Sequence, residues 1–238
     1  MNVAQAKRAV RERVWTALDH AGAVVPPGAA GHIPGFIGAD HAAQRLTALD
    51  VWKAAKVVKA NPDKAQLPVR EAALREHKLL YMAVPKIATL KPFYLLDSAK
   101  VDVEAAASKR AADVAPTVGP DTMQPVDMVV CGTVAVDRRG VRIGKGAGYS
   151  DIEMGLLAEA GLLGPKTVIV TTVHELQVVD GEIPETEHDF RVDLVITPHE
   201  IIECPSAPRP PGIIWKHLSQ EKISAIPALS SRYATRVQ

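Results

Sequence analysis

Apolar positions along the chain fall into two periods. Val3, Val10, Val14 and Leu18 recur at intervals near 3.6, with Ala6 and Ala17 beside them and Gly22 where a C-cap residue would end the run. That spacing predicts an opening amphipathic helix. The proline- and glycine-rich stretch 23–38 fits an irregular, flexible crossing. Residues 42–49 then read as helix, 56–60 as strand, Asn61-Pro62-Asp63 as a turn, and Pro68 opens a helix to about His77. Beyond it, short β-branched runs at 79–84, 93–97, 126–132, 166–172 and 191–197 alternate with helical patterns at 101–114 and 151–163. Continuous apolar strands separated by helices predict a mostly parallel sheet buried on both faces, hence an α/β protein built as a three-layer α/β/α sandwich. The stretch 204–212 reads as a surface connection before a last short strand and helix. No position divides two cores, so residues 1–238 read as a single domain.

Composition narrows the function classes. Hydrophobic residues form 47% of the 238 and charged residues 23%, the mix of a folded globule. Lys plus Arg total 28 against 27 acids, so no global field draws the chain to nucleic acid or to an anionic membrane, and any anion must be held by a local site. Cys131 and Cys204 lie far apart and no zinc spacing occurs, which reads as buried free thiols in a reducing compartment. The N-terminus lacks a secretory apolar core and no run is long enough to span a bilayer, so the expected location is cytoplasmic.

The segment with chemistry in it is 129–151. A buried strand ends, a turn follows at 137–140, and glycines alternate at 144, 146 and 148. Alternate glycines let backbone amides converge on an anion with no Cβ in the way. Arg142 and Lys145 add charge, and the helix expected from Asp151 turns its positive end to the same place. The pattern is neither a GxxxxGK[ST] loop nor a GxGxxG fingerprint. On its own, GxGxG also describes a flexible turn.

The stretch GVRIGKGAGYSD (140–151) resembles the R-x-G-x-G-x-G-Y-Y-D motif of the 5-formyltetrahydrofolate cyclo-ligase, or methenyltetrahydrofolate synthetase, family. Lys7-Arg8-Ala9-Val10-Arg11 is similar to that family's K-x-x-L-R, and 174–198 looks like its Q-x-x…P…H-D-x-x-V-D-x-x-x-T element. Residues 33–70 resemble a divergent branch whose animal members also carry an RNA-binding domain. The resemblance implies a sandwich of the NagB/RpiA/CoA-transferase-like type and a reaction in which MgATP phosphorylates the formyl oxygen of a folate, N10 attacks, and phosphate leaves. It implies phosphate contacts from Lys7, Arg11, Arg142, Gly144, Lys145, Gly146 and Gly148, Mg²⁺ ligands in Asp151 and Asp189, and Tyr149 at the junction of nucleotide and substrate.

Each residue also has a plain structural use. Lys7 and Arg11 could be a solvated helix face, Asp151 an N-cap, Asp189 a loop anchor, Tyr149 a packed aromatic and His188 a structural hydrogen-bonder. Two departures from the family pattern bear on the substrate: Ser150 replaces the second tyrosine, and Lys64-Ala65-Gln66-Leu67-Pro68 stands where the resemblance implies an acidic segment facing the folate. The phosphate half is thus better kept than the substrate half. The same fold with another phosphorylated or heterocyclic substrate, thiamine-related as one guess, is the alternative enzyme. A non-catalytic nucleotide-binding or RNA-associated module is the alternative outside enzymes, and a net charge of +1 without an RNP-like motif counts against RNA.

Overall fold

The computed structural model describes residues 2–236. In chain order the elements are α1 (Val3–His20), α2 (Ala39–Thr47), α3 (Asp50–Ala54), β1 (Val57–Ala60), α4 (Leu67–Arg75), β2 (Leu79–Ala83), β3 (Phe93–Leu96), α5 (Ser108–Val114), β4 (Thr117–Val118) and β5 (Val126–Cys131). There follow β6 (Ala135–Asp137), β7 (Arg142–Ile143), α6 (Tyr149–Glu159), β8 (Leu163–Thr172), β9 (Val178–Val179), β10 (Leu194–Ile196), β11 (Ile201–Glu203), α7 (Gln220–Ala225) and α8 (Pro227–Arg236).

Eight strands form one sheet in the order β11-β10-β8-β5-β1-β2-β3-β4. The five from β10 to β2 run parallel, and the outer pairings β10–β11, β2–β3 and β3–β4 are antiparallel. Strand alternation sorts side chains into two cores. Val58, Leu80, Met82, Met128 and Val130 pack with Leu46, Trp52, Val69 and Leu74 of α2 to α4 on one face. Val57, Tyr81, Val129 and Ile169 pack with Met154 and Leu157 of α6 on the other. The expected three-layer sandwich with a mostly parallel sheet is therefore present.

Several local expectations are corrected. α6 begins at Tyr149, two residues early, because Gly148 takes the N-cap at a left-handed φ of 71°. The run 101–114 divides into a 3-10 turn, Val103–Ala106, and the short α5. β8 reaches back to Leu163, and the strand expected over 191–197 shrinks to β10. After residue 212 there is no strand among the described residues; the tail forms a turn and then α7 and α8. Ile226 and Leu229 of the tail pack on Ile152 and Leu156 of α6. Segment 23–38, expected to be flexible, is irregular but anchored. Val24 bridges Phe36, Phe36 is buried, and the Ala29 amide donates to Asp19 Oδ1 at 2.8 Å. Cys131 is buried as expected, whereas Cys204 is only partly so; both are free, and burial pushes the Cys204 thiol up to about 11. Among the described residues no helix is long and apolar enough to cross a membrane.

Two features unforeseen in the sequence position the site. One is a second sheet, β7-β6-β9, that packs on α1 through Val14, Leu18, Ala135 and Ile143 and so sets Arg142 beside that helix. The other is buried Arg70, which donates to the carbonyls of Asp63 at 2.9 Å, Pro62 at 3.3 Å and Ala106 at 2.8 Å, and also to that of Asn61. Burial lowers its guanidinium to about 10. It holds the turn after β1 in one shape.

Candidate functional site

At the carboxyl ends of β1 and β5, a cavity of about 790 Å³ opens between α1, the turn after β1 and the loop from β7 to α6. That volume is in the range of small-molecule sites, and strand carboxyl ends are where open α/β sheets bind ligands. Every residue singled out in the sequence lines it: Lys7, Arg11, Arg142, Gly144, Lys145, Gly146, Gly148, Tyr149, Asp151 and Asp189.

The loop is shaped by its glycines. A Cβ on Gly144 would come within 2.6 Å of Arg142 Nη2, and Gly146 holds a φ of 97° that only glycine takes freely. Among the described residues, the amides from Lys145 to Asp151 donate to no backbone or side-chain acceptor, and α6 has no side-chain cap. Unpaired amides at the start of a helix are an anion-binding arrangement. The cations around them are held by few partners. Arg11 Nε donates to the Gly144 carbonyl at 2.6 Å and braces the loop. Arg142 is buried over the Phe190 ring, reaches Asp151 Oδ1 at 3.4 Å, and leaves its Nε without a partner. Burial, and then repulsion from Arg142, lowers the Arg11 guanidinium. Two arginines pressed together in this way gain from an anion between them.

The two expected metal ligands sit in opposite electrostatic settings. Burial lifts the Asp151 carboxyl above its ordinary range against the pull of Arg142, and the charge of Asp189 lifts it further. Burial also works to raise Asp189, but hydrogen bonds from Lys7 and from the Thr186 hydroxyl and amide outweigh it and hold the group low. Asp151 lies in the first turn of α6 without capping it, so the N-cap use is not realised. Two carboxylates that feel each other's charge beside an anion cradle suit a hard divalent cation, which takes one or two carboxylates and fills its remaining positions with phosphate and water. The described residues hold no cluster of three acidic, cysteine or histidine groups that would bind a metal without such phosphate.

Sequence reasoning missed the floor of the cavity. Lys59 and Glu153 form a buried ion pair, and Asn61 accepts from Lys59 at 3.3 Å and donates to Glu153 at 3.2 Å and to Ser150 Oγ at 3.0 Å. Ser150, a departure in the motif, thus belongs to this network. Asp63 stands beside it, and among the described residues no side chain donates a hydrogen bond to its carboxylate. Burial lifts its carboxyl, with Lys145 and Arg70 pulling the other way. Segment 64–68 supplies no cavity carboxylate: Ala65 and Gln66 are buried, and Gln66 binds Thr172. Lys86 lines the rim, in a turn whose φ values of 58° at Lys86 and 48° at Ile87 are strained for side-chain-bearing residues. A legible signal existed for Lys59, a charge within an apolar strand, whereas Glu153 shares α6 with Asp151 and Glu159 and does not stand out.

The 5-formyltetrahydrofolate cyclo-ligase family matches residues 3–198. The chain belongs to that family. It is 37% identical over 232 residues to mouse methenyltetrahydrofolate synthase domain-containing protein, covering 94% of this chain and 62% of that one. The human protein of the same name is 35% identical over 246 residues, covering 99% and 63%. The chain thus spans about three fifths of the length of these relatives. The solution structure of Aquifex aeolicus 5,10-methenyltetrahydrofolate synthetase superposes with a TM-score of 0.55 at 19% identity, over 92% of this chain and all of that one, and so shares the fold. The family match ends at Pro198, and the tail that packs on α6 lies beyond it.

Proposed function

We propose that residues 1–238 act as one cyclo-ligase-like domain that binds MgATP on the 144–148 loop and uses it to activate a formylated heterocycle in the adjoining cavity, with 5-formyltetrahydrofolate converted to 5,10-methenyltetrahydrofolate and ATP to ADP and phosphate. The observation that carries this reading is the row of unpartnered amides from Lys145 to Asp151 lining one cavity with Arg11 and Arg142, within the segment that the family matches. The loop amides, Arg142 and Lys145 would hold the phosphates, Lys7 and Arg11 would close the cradle from α1, and Tyr149 would separate nucleotide from substrate. Mg²⁺, held by Asp151 and Asp189, would offset charge on the phosphates during transfer. The formyl oxygen takes the γ-phosphoryl group and ADP departs; N10 then forms the new C–N bond and phosphate leaves with the oxygen. The residues contribute positioning and charge neutralisation.

A second substrate for the same loop is favoured by one observation. Ala65 and Gln66 of segment 64–68 are buried, and Asp63, just before it, lines the cavity with a carboxylate away from the pair Asp151 and Asp189. A different heterocycle with N–H donors would suit that placement. Assay of methenyltetrahydrofolate formation with MgATP separates the two: turnover with a kcat/KM above about 10⁴ M⁻¹s⁻¹ establishes the folate, and its absence beside intact nucleotide binding favours the other heterocycle.

Nucleotide binding has its own test. MgATP at about 100 times its Kd is expected to stabilise the fold by roughly 2.7 kcal/mol, read as a rise in Tm. Lys145→Ala should weaken binding by about 1.5–3 kcal/mol, the value of one charge-assisted contact. An unchanged Tm in millimolar MgATP would remove the phosphate-loop reading. Metal use is expected to show in Asp151→Asn and Asp189→Asn. Each should weaken nucleotide binding in the presence of Mg²⁺ and have little effect in its absence, because an amide oxygen is the poorer ligand for a hard cation. Equal losses with and without Mg²⁺ in calorimetry would assign the two aspartates to structure alone.

A further inference from the structure

A second compartment, of about 330 Å³, lies against the glycine loop. Gly146, Ala147, Gly148, Asp151 and His188 border both it and the main cavity, so the two spaces lie on either side of the same loop. Its remaining lining comes largely from the tail, with Pro211, Ile213, Ile214 and Leu218 giving apolar surface and His217 and Ser219 giving polar tips. The tail is docked firmly. Lys222 Nζ donates to the Ala147 carbonyl at 2.8 Å and sits 3.7 Å from the centre of the Tyr149 ring. The Gly212 backbone approaches α6 so closely that a Cβ on Gly155 would lie 3.1 Å from its carbonyl oxygen. Ile213 and Leu218 join the apolar cluster of Ile152, Leu156 and Leu229.

The size and lining of this compartment select a ligand class. It is at the small end of ligand pockets, too small for a whole nucleotide and suited to one flat ring system. Glu187 at its edge is paired with Lys216 at 2.9 Å, and Lys222 is turned to the Ala147 carbonyl and the Tyr149 ring. Ser219 Oγ accepts from the Lys222 amide at 3.1 Å, which leaves its hydroxyl proton free to donate. Apolar walls with a few directed polar groups are what a heteroaromatic base requires. The border with the phosphate cradle is formed by Gly146, Ala147 and Gly148, so a base in this compartment would lie next to phosphates on the loop.

We propose that this compartment takes the heteroaromatic base of the nucleotide whose phosphates lie on the glycine loop, so that residues 210–222, beyond the family match, complete the nucleotide site. The proposal rests on the phosphate-loop reading above, and its test separates the two. Calorimetry on the full chain compares MgATP with magnesium tripolyphosphate, which carries the anions without a base. ATP is expected to bind at least about tenfold more tightly. Leu218→Trp, which fills the compartment, should remove that advantage and leave tripolyphosphate affinity within about twofold. Ile214→Trp fills the same space from another residue and stands in if Leu218→Trp no longer melts cooperatively. Equal affinity of the wild type for ATP and tripolyphosphate, or an ATP advantage that survives the filling variant, overturns the base-pocket assignment alone. Failure of both anions to bind the wild type overturns the phosphate-loop reading itself.

Discussion

Replacing Lys59 with methionine is expected to destabilise the fold by about 3–5 kcal/mol, because it leaves the Glu153 carboxylate buried without its cation. Asn61 remains, but one amide hydrogen bond at 3.2 Å does not replace an ion pair. The double variant Lys59→Met with Glu153→Leu should recover most of the loss, since an apolar pair of similar volume is often as stable as a buried ion pair. The pH dependence has a definite sign. Burial holds the Glu153 carboxyl above its ordinary value, and removing Lys59 takes away the largest opposing pull. A raised folded-state pKa means that the folded state binds the proton more tightly than the unfolded chain. Stability in the single variant is therefore greatest below the ordinary glutamate range and falls as pH rises through the raised pKa. Urea denaturation at pH 5 and pH 8 should show the deficit growing with pH in the single variant and flat in the double. A single variant as stable as the double at pH 8 would mean that the pair is not a stability determinant.

The layers of the fold were readable because strands buried on both faces leave a strong mark: runs rich in β-branched residues over β1, β5, β8 and β10 with helices between them. The second sheet left none. β7 and β9 have two residues each, too short for any period to show, and their register with β6 is set by burial against α1. Similarly, the boundary at Tyr149 depends on Gly148 adopting a left-handed conformation, which the sequence permits without requiring. Glycine in an alternating loop reads as freedom; only the packed loop shows where that freedom is used.

The site divides along the same line. Its phosphate half is local in sequence, with Arg142 to Asp151 contiguous and Lys7 and Arg11 one helical turn apart, and all of these residues reach one cavity. Its other half is assembled across the sheet. Lys59 and Glu153 are 94 positions apart, and Asn61 and Ser150 are 89 apart, so no spacing rule joins them. The substitution at Ser150, which read as the loss of an aromatic wall, places instead a hydroxyl that accepts from Asn61. Roles assigned by motif alone also omit competing contacts: Tyr149 lies under Lys222 of the tail, and Arg11 spends one nitrogen on the Gly144 carbonyl.

Asp63→Asn is expected to leave MgATP binding intact and to lower kcat/KM for the heterocyclic substrate by about 10²–10⁴. Asp63 faces the cavity and accepts no side-chain hydrogen bond from the described residues, while Arg70 fixes its backbone through the carbonyl at 2.9 Å. A carboxylate held in this way is ready to accept two N–H donors from one edge of a heterocycle. Each charge-assisted bond is worth roughly 1.5–3 kcal/mol, and two of them give the stated range. Burial lifts the Asp63 carboxyl, and in the free protein the substrate arm should weaken as pH falls through that raised value, since the protonated acid accepts one donor fewer. The asparagine variant should lose this pH dependence, which a merely structural role would not produce. Gly132→Ala supplies an independent check: a Cβ there would meet Asp63 Oδ2 at 2.6 Å and displace it, so the same substrate defect is expected with the nucleotide arm spared. Steady-state kinetics across pH 5 to 8, paired with calorimetric titration of MgATP, reads both arms. Loss of MgATP affinity in Asp63→Asn would move the residue to the phosphate half of the site, and an unchanged kcat/KM would return it to the scaffold that Arg70 holds.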